Sequence, residues 1–334
     1  MKGALEHQYL YHLKSLGNEV ITFDIQQPYF EKIHKNTFNK IVNKISPNYW
    51  FRPINEALLK FVSQIQTMDV ILVFKGQELF PATILELKKH TRILVNYNPD
   101  HPFKFFSLGS GNLNVKESIP HFDIHFSYSK SICEKLKNQY DLACFQIPFG
   151  FDDSVKINRN SSFQNDYIFI GAWDRNRASL LNKIEVSNFK IFGNQAWHSR
   201  TRFQKNIARF YQNKALYDNE YIQTHQSALG ALNLLRKQNL LEDSHNMRTF
   251  EIPGCGGVLI SQRTTEQLNF FEEEKEAIFW DDIDELNEKL NFYNRNKSKL
   301  DKIKRAGFER SKKSNYPYRF RVKKMDDIIK NHLN

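Results

Sequence analysis

Apolar positions along the chain fall into two series of short blocks. Residues 4–16 place Leu5, Tyr9, Leu10 and Leu13 at helical spacing, and Gly17 follows as a stop. EVITFD (19–24) reads as a short strand. A helical stretch around 54–67 leads into DVILVFKG (69–76), and another around 81–90 leads into RILVNYNPD (92–100). DIHFSYS (123–129), a helix around 130–139 and ACFQIPFG (143–150) complete the first series. Continuously apolar strands that alternate with helices predict a parallel sheet covered on both faces. The polar run FDDSVKINRNSSFQND (151–166) reads as a linker. The alternation then restarts with YIFIGAW (167–173), a helix around 176–185, FKIFG (189–193), ALNLL (231–235), GVLIS (257–261) and AIFWD (277–281). A helical segment over 282–311 and a final helix over about 317–332 end the chain. The pattern predicts two α/β halves. A doubly wound domain normally opens with a strand. This chain opens almost inside a helix, which predicts either a first sheet lacking one strand or a first strand outside this sequence.

The totals fit two cores. The chain has 334 residues, 40 % of them hydrophobic, with 28 Phe, which excludes a disordered chain. The net charge of +11 favours anionic partners: nucleic acid, phosphorylated ligands or an acidic membrane face. A solvated basic surface is the simpler alternative. The three cysteines, Cys133, Cys144 and Cys255, lack metal-ligand spacing. They predict reduced thiols and a cytoplasmic home. There is no signal-peptide apolar block at the start and no apolar run of about 20 residues. Any membrane contact is therefore expected to be peripheral.

Candidate chemistry centres on RTFEIPGCGGVLIS (248–261). Asp243 and Ser244 are good N-cap types for a helix over about 245–252. Pro253 and Gly254 would stop that helix, and Gly256 and Gly257 would turn the chain into the next strand. Free amides at the helix start would attract an anion, and Arg248 would add a fork suited to a diphosphate. Glu251, about two turns on, could accept hydrogen bonds from ribose hydroxyls. The competing reading is a helix end with a solvated acid. NYNPDHP (96–102) lies at the carboxyl edge of a strand, where ligands bind parallel sheets. There Asp100 or His101 could face an acceptor hydroxyl, or the segment is a polar turn. Trp173 and Trp197 could stack on a base or sugar, or pack in the core.

The stretch HNMRTFEIPGCGGVLISQRTTEQLNFFEEEKEAIFWDDIDELNEKLNFY resembles the C-terminal signature of group 1 glycosyltransferases, closest to their spore-maturation (CgeB-like) branch. Thr264, Thr265 and Glu266, then KEAIFWDDIDEL (275–286) and YPYRFRVKKM (316–325), extend the resemblance. DVILVFKG, ILVNYNPDHP, FDIHFSYS and IFIGAWDRNRASLL carry it through most of the chain. The resemblance implies the GT-B architecture: two Rossmann-like, doubly wound parallel-sheet domains facing a cleft. The expected domains are 1–155 for the acceptor, 163–315 for the nucleotide sugar, and a terminal helix at 316–334 packing back toward the first. In related retaining enzymes two acids stand eight positions apart. The second binds the ribose and corresponds to Glu251; the first contacts the transferred sugar and corresponds to Asp243, shorter than the usual glutamate by one methylene. Arg177, after the turn at Gly171, is expected to reach the donor phosphates. The lysine of the usual diphosphate pair has no clear counterpart.

Glycosyl transfer releases a nucleoside diphosphate, so the leaving charge must be neutralised. Arg177, Arg248 and helix amides would do this without a metal, and the chain lacks a persuasive Asp-x-Asp metal motif. The nucleotide-binding residues expected are Gly171, Arg177, Arg248, Glu251, Gly256 and Gly257. Asp243 and Asp100 are the catalytic candidates, and His101 an acceptor-side one. The leading expectation is a metal-independent, retaining transferase with no cofactor. It would use a nucleotide-sugar donor such as a UDP-sugar and a surface-glycan or lipid-linked acceptor, as in cell-envelope polysaccharide biosynthesis. It would be cytoplasmic, with peripheral contact at the inner membrane face. A catalytically degenerate nucleotide-sugar-binding protein is the first alternative. A basic nucleic-acid binder is the second, and it lacks a recognition module.

Overall fold

The computed structural model describes residues 5–65, 68–106, 109–154, 165–201 and 203–333. The chain divides into two compact units, one of residues 1–148 with 321–334, the other of residues 149–320.

The first unit opens with four helices, α1 (Leu5–Ser15), α2 (Gln26–His34), α3 (Thr37–Ile45) and α4 (Pro47–Ser63). It continues through β1 (Met68–Phe74), α5 (Pro81–Lys88), β2 (Thr91–Asn98), α6 (Leu113–Ser118), β3 (Ile124–Ser127), α7 (Lys130–Tyr140) and β4 (Ala143–Gln146). All four strands are parallel, in the order β1-β2-β3-β4, with Phe74 beside Tyr97 and Asn98 beside Ser127. Strand residues alternate between faces. Val73 and Leu94 pack with Leu58, Val62, Ile84 and Leu87 of α4 and α5 on one face. Phe74 and Tyr97 meet Tyr9 of α1, with centroids 5.2 and 5.1 Å away. Covering both faces explains the unbroken burial of β2 from Ile93 to Asn98.

The second unit holds β5 (Tyr167–Ile170), α8 (Arg175–Leu181), β6 (Phe189–Phe192), α9 (Ala196–Arg200), α10 (Lys205–Phe210), α11 (Asp218–Ser227) and β7 (Gly230–Asn233). Next come α12 (Lys237–Leu241), α13 (Arg248–Gly254), β8 (Leu259–Gln262), α14 (Thr265–Phe270), β9 (Ile278–Trp280), α15 (Ile283–Arg295) and α16 (Lys297–Lys313). Its parallel strands run β6-β5-β7-β8-β9. The order reverses at β5, so this sheet is doubly wound, and its switch point lies between the ends of β5 and β7. Tyr167, Phe169, Ile191, Leu232, Ile260 and Trp280 build its core. The last helix, α17 (Tyr318–Leu333), starts in this unit, and its residues from 321 on belong to the first.

Three expectations change. EVITFD (19–24) is not a strand: no strand lies beside it to take its backbone hydrogen bonds, Ile21 is exposed, and Phe23 packs on Phe61. The helical segment 282–311 is two helices broken at Asn296 (φ −123°, ψ 52°). Most of the linker expected over 151–166, residues 155–164, lies outside the described residues.

Candidate functional site

In the second unit the switch point is framed by arginines. The side chain of Asp174 caps α8 by accepting the amides of Asn176 (2.9 Å) and Arg177 (3.3 Å). That cap fixes the turn from which Arg177 projects. Arg177 Nη2 donates to the carbonyl of Leu234, just past β7, at 3.1 Å. Arg248, the first residue of α13, donates from Nε to the carbonyl of Ile170, the last residue of β5, at 3.1 Å. Two guanidinium groups are thus moored to the strand ends on either side of the reversal. A Cβ on Gly171 would meet Phe169 Cζ at 2.9 Å and Arg248 Nη2 at 3.5 Å, so the missing side chain leaves the Arg248 group its place.

Burial lowers the Arg177 pKa to about 10, and the charges of Arg248 and then Arg236 push it the same way. Among the described residues the arginine ion pairs are made by Arg92, Arg263, Arg305, Arg310 and Arg319, not by these three. Like charges gathered without a paired carboxylate favour an anion that can neutralise them.

Glu251 stands near this group. Its Oε2 accepts from the Tyr221 hydroxyl at 3.1 Å. Burial raises its pKa, while Arg248 and the Tyr221 hydrogen bond oppose the rise. Tyr221 rises too, through burial first and then the Glu251 charge. Beside it, 4.4 Å between centroids, lies the buried ring of His225, whose two nitrogens have no hydrogen-bond partner among the described residues. Burial, with Arg248 adding, pulls that imidazole down to about 3.

A buried polar network fixes the start of α13. Asn246 Nδ2 donates to Asn233 Oδ1 (2.8 Å), and Asn233 Nδ2 to Thr249 Oγ1 (3.3 Å). Thr249 and Ser261 both donate to Gln267 Oε1 at 2.9 Å. Gln267 Nε2 donates to the Gln262 carbonyl (2.7 Å), and Gln262 Oε1 accepts the Leu235 amide (2.8 Å).

This network corrects the expected helix start. The helix begins at Arg248, not near 245, and its N-cap is Met247 with helical dihedrals and no side-chain cap. The Thr249 amide is held by the carbonyl and Oδ1 of Asn246, and the Phe250 and Glu251 amides by the Met247 carbonyl. The Thr249, Phe250 and Glu251 amides expected to receive an anion are therefore already bonded to protein oxygens. Glu251 is the fourth residue of the helix, not two turns along it. Asp243 and Ser244 are not the N-cap pair. Asp243 sits at φ +52°, exposed, and its Oδ1 accepts the Thr265 amide at 2.8 Å, steadying α14 instead. The Ser244 hydroxyl donates to Glu242 at 3.1 Å.

Pro253 lies inside the helix, and Gly254 is its last residue, two past the end expected at 252. The end is a Schellman closure: Gly257 N donates to the Ile252 carbonyl and Gly256 N to that of Pro253, both at 2.9 Å, with Gly256 at φ +79°. A Cβ on Gly257 would meet the His225 carbonyl at 3.0 Å. Both glycines are thus accounted for by chain geometry. Trp197 is core, and its Nε1 donates to the Gly171 carbonyl at 2.8 Å.

In the first unit Asp100 and His101 follow β2. Asp100 Oδ2 pairs with Lys75 Nζ at 2.7 Å, and Lys75 also donates to the Gly109 carbonyl. Lys75 holds φ +57° just after β1, so two strand ends present an ion pair. His101 is buried, and its Nδ1 accepts the amides of Phe103 (3.1 Å) and Lys104 (3.0 Å). Burial first, then Lys135 and Lys104, lowers its pKa to about 4. The Nδ1 lone pair thus serves the turn.

The sequence reading missed Arg236, Tyr221 and Lys75. Arg236 directly follows ALNLL, at the end of a predicted strand; that position was a usable signal. Tyr221 and Lys75 gave none, because their partners are 30 and 25 residues away.

Residues 172–327 match a family model described as glycosyl transferase-like. No curated protein matches the sequence. Among solved structures the chain is similar to the pneumococcal O-GlcNAc transferase GtfA in complex with UDP and GlcNAc, at 11 % identity and TM-score 0.62 over 83 % of this chain. It spans 60 % of that protein's length. Sucrose-phosphate synthase from Thermosynechococcus elongatus aligns at 10 % identity and TM-score 0.65, covering 85 % of this chain and 78 % of that one. An E. coli structure described as trehalose-6-phosphate bound with UDP-2-fluoro glucose aligns at 12 % identity and TM-score 0.64, covering 98 % and 96 %. Residues 172–327 are thus similar to the glycosyl transferase-like family model, and the two parallel-sheet units have the GT-B fold.

Proposed function

We propose that this protein is a glycosyltransferase that moves a sugar from a nucleoside-diphosphate sugar, a UDP-sugar in the first instance. The observation that carries this reading is the group Arg177, Arg236 and Arg248 at the switch point of the second sheet. A diphosphate carries the charge that such a group lacks, and guanidinium forks match its oxygens. In the transition state the bond to the anomeric carbon breaks and negative charge gathers on the leaving phosphate. Fixed positive groups there lower the barrier without a metal. The family match over 172–327 and the UDP ligands of the two similar structures named above support the same donor class.

Glu251 is assigned to the ribose hydroxyls: it is half-buried and held by Tyr221, with Arg248 opposing the rise that burial gives its pKa. Gly171 is assigned the space beside the phosphates, and Gly256 and Gly257 the turn that closes the helix carrying Glu251. Asp100, paired with Lys75, is assigned to orient an acceptor hydroxyl. A carboxylate already paired with an ammonium suits orientation better than proton abstraction, which agrees with retention at the anomeric centre. The acceptor assigned is a surface glycan or a lipid-linked sugar.

One observation favours a second reading. One oxygen of the Asp243 carboxylate already serves the Thr265 amide, which ties to α14 the side chain assigned to the transferred sugar. A nucleotide-sugar-binding protein without turnover would look the same. Isothermal titration with UDP and UDP-sugars, alongside a donor-consumption assay, separates the two. A transferase binds UDP and consumes donor; a degenerate binder only binds. Failure to bind any nucleoside diphosphate overturns both.

A further inference from the structure

Helix α3 is amphipathic and turned inside out. Its sequence TFNKIVNKI puts Phe38, Ile41, Val42 and Ile45 within a sector of about 100°, and Asn39 and Asn43 opposite. In a water-facing helix the apolar sector would face the protein. Here the asparagines do: Asn39 Nδ2 donates to the Lys32 carbonyl at 2.6 Å, and Asn43 Oδ1 accepts from the Tyr29 hydroxyl at 3.0 Å. Phe38, Ile41 and Ile45 are left 71 %, 52 % and 79 % exposed, and no residue of the helix is buried. Tyr49, just after it in α4, is 66 % exposed.

The charge around this stripe is predominantly positive. Residues 26–52 hold Lys32, Lys35, Lys40, Lys44 and Arg52 against the single acid Glu31. Lys40 and Lys44 lie on the helix itself, and α3 contains no acidic residue. Apolar side chains on a short helix with lysines at the margin match the boundary between lipid headgroups and acyl chains, where lysine stems lie along the surface and their ammonium groups meet anionic headgroups.

We propose that α3 is a docking element for an anionic lipid bilayer, lying in the interface plane with Phe38, Ile41 and Ile45 inserted. The charge complementarity favours a membrane over a second copy of this chain, since two such surfaces would bring like charges together. The inference does not depend on the sugar-transfer reading.

The test is co-sedimentation of the full chain with vesicles of phosphatidylcholine and phosphatidylglycerol, against vesicles of phosphatidylcholine alone. The wild type is expected to bind the anionic vesicles and to weaken with salt. The triple variant Phe38→Ser, Ile41→Ser, Ile45→Ser should lower partitioning about a hundredfold. The pair Lys40→Glu, Lys44→Glu should lower it at least about tenfold. All altered side chains are exposed, so unchanged thermal melting and UDP affinity serve as controls for folding. The proposal is overturned if the wild type stays soluble with anionic vesicles or if the triple variant binds them as well as wild type does. A wild-type dimer that the triple variant abolishes, without vesicle binding, also overturns it.

Discussion

Arg248 Nε reaches across from the first turn of α13 to the carbonyl of Ile170, 3.1 Å away. The side chain is anchored by one nitrogen and leaves Nη2 beside Gly171. Replacing that glycine by alanine sets a methyl group 2.9 Å from Phe169 Cζ and 3.5 Å from the arginine. Gly171→Ala is expected to cost about 1–3 kcal/mol by overpacking. It should weaken UDP binding more than Gly257→Ala does. Urea melts and titration calorimetry on both variants give the comparison; equal affinities would remove Gly171 from the site.

Arg248→Ala should reduce UDP affinity about 10–100-fold, the usual range for one charge-assisted contact. Arg248→Lys should recover little of it, because an ammonium cannot hold Ile170 and a phosphate as a fork does. Arg236→Ala, at an exposed position, should weaken binding with unchanged stability. Affinity for uridine, which lacks phosphate, should be insensitive to all three. A matching loss for uridine would mean that the arginines support the base or the fold instead.

The Lys75–Asp100 pair lies in the other unit and should behave differently. Asp100→Asn is expected to lower transfer turnover at least about tenfold while UDP affinity stays as in wild type. A double-mutant cycle on melting should give a coupling between Lys75 and Asp100 of about 0.5–2 kcal/mol, since the pair is largely shielded. Parallel losses in UDP binding would place Asp100 with the donor.

The buried histidines set a pH limit. His101 has its pKa depressed from 6.5 to about 4. Protons therefore bind the unfolded chain first. The stability this neutral ring contributes is fully present above pH 6.5 and is lost as pH falls toward 4. His125, also lowered to about 4, and His225, to about 3, act with the same sign. Urea unfolding at pH 7, 5.5 and 4.5 (roughly the window set by linkage) should show falling stability. His101→Asn keeps an acceptor for the Phe103 and Lys104 amides and should flatten that slope. An unchanged slope would mean that His101 does not titrate with unfolding.

Much of this architecture is legible in the sequence because buried parallel strands write themselves as apolar blocks. DVILVF and RILVNYN are strands within two residues of their expected bounds, and the strand of YIFIGAW stops three residues early, at Ile170. EVITFD misleads because its apolar residues meet one helix, through Phe23 and Phe61, rather than a neighbouring strand. The stretch around Glu251 shows where local rules give out. Asp243 and Ser244 are good capping types, yet Asn246 takes the Thr249 amide, and its partner Asn233 sits on a strand 13 residues earlier. Cap preference is a local energy of about 1 kcal/mol, and a buried network of several hydrogen bonds overrides it. Arg177 and Arg248 were readable as residue types, but only the folded sheet brings them to neighbouring strand ends.

The chain of hydrogen bonds from Asn246 through Asn233, Thr249 and Gln267 to Ser261 bears on how a ligand would be received. It locks the turn leading into Arg248 to two strands and a helix without any guest molecule. Orientation that would otherwise have to be gained on association is already complete when the polypeptide folds. Capture of an anion there should accordingly proceed with little ordering of main chain and a small loss of entropy. Loosening a distant link such as Gln267 should slacken the grip on that anion without touching it.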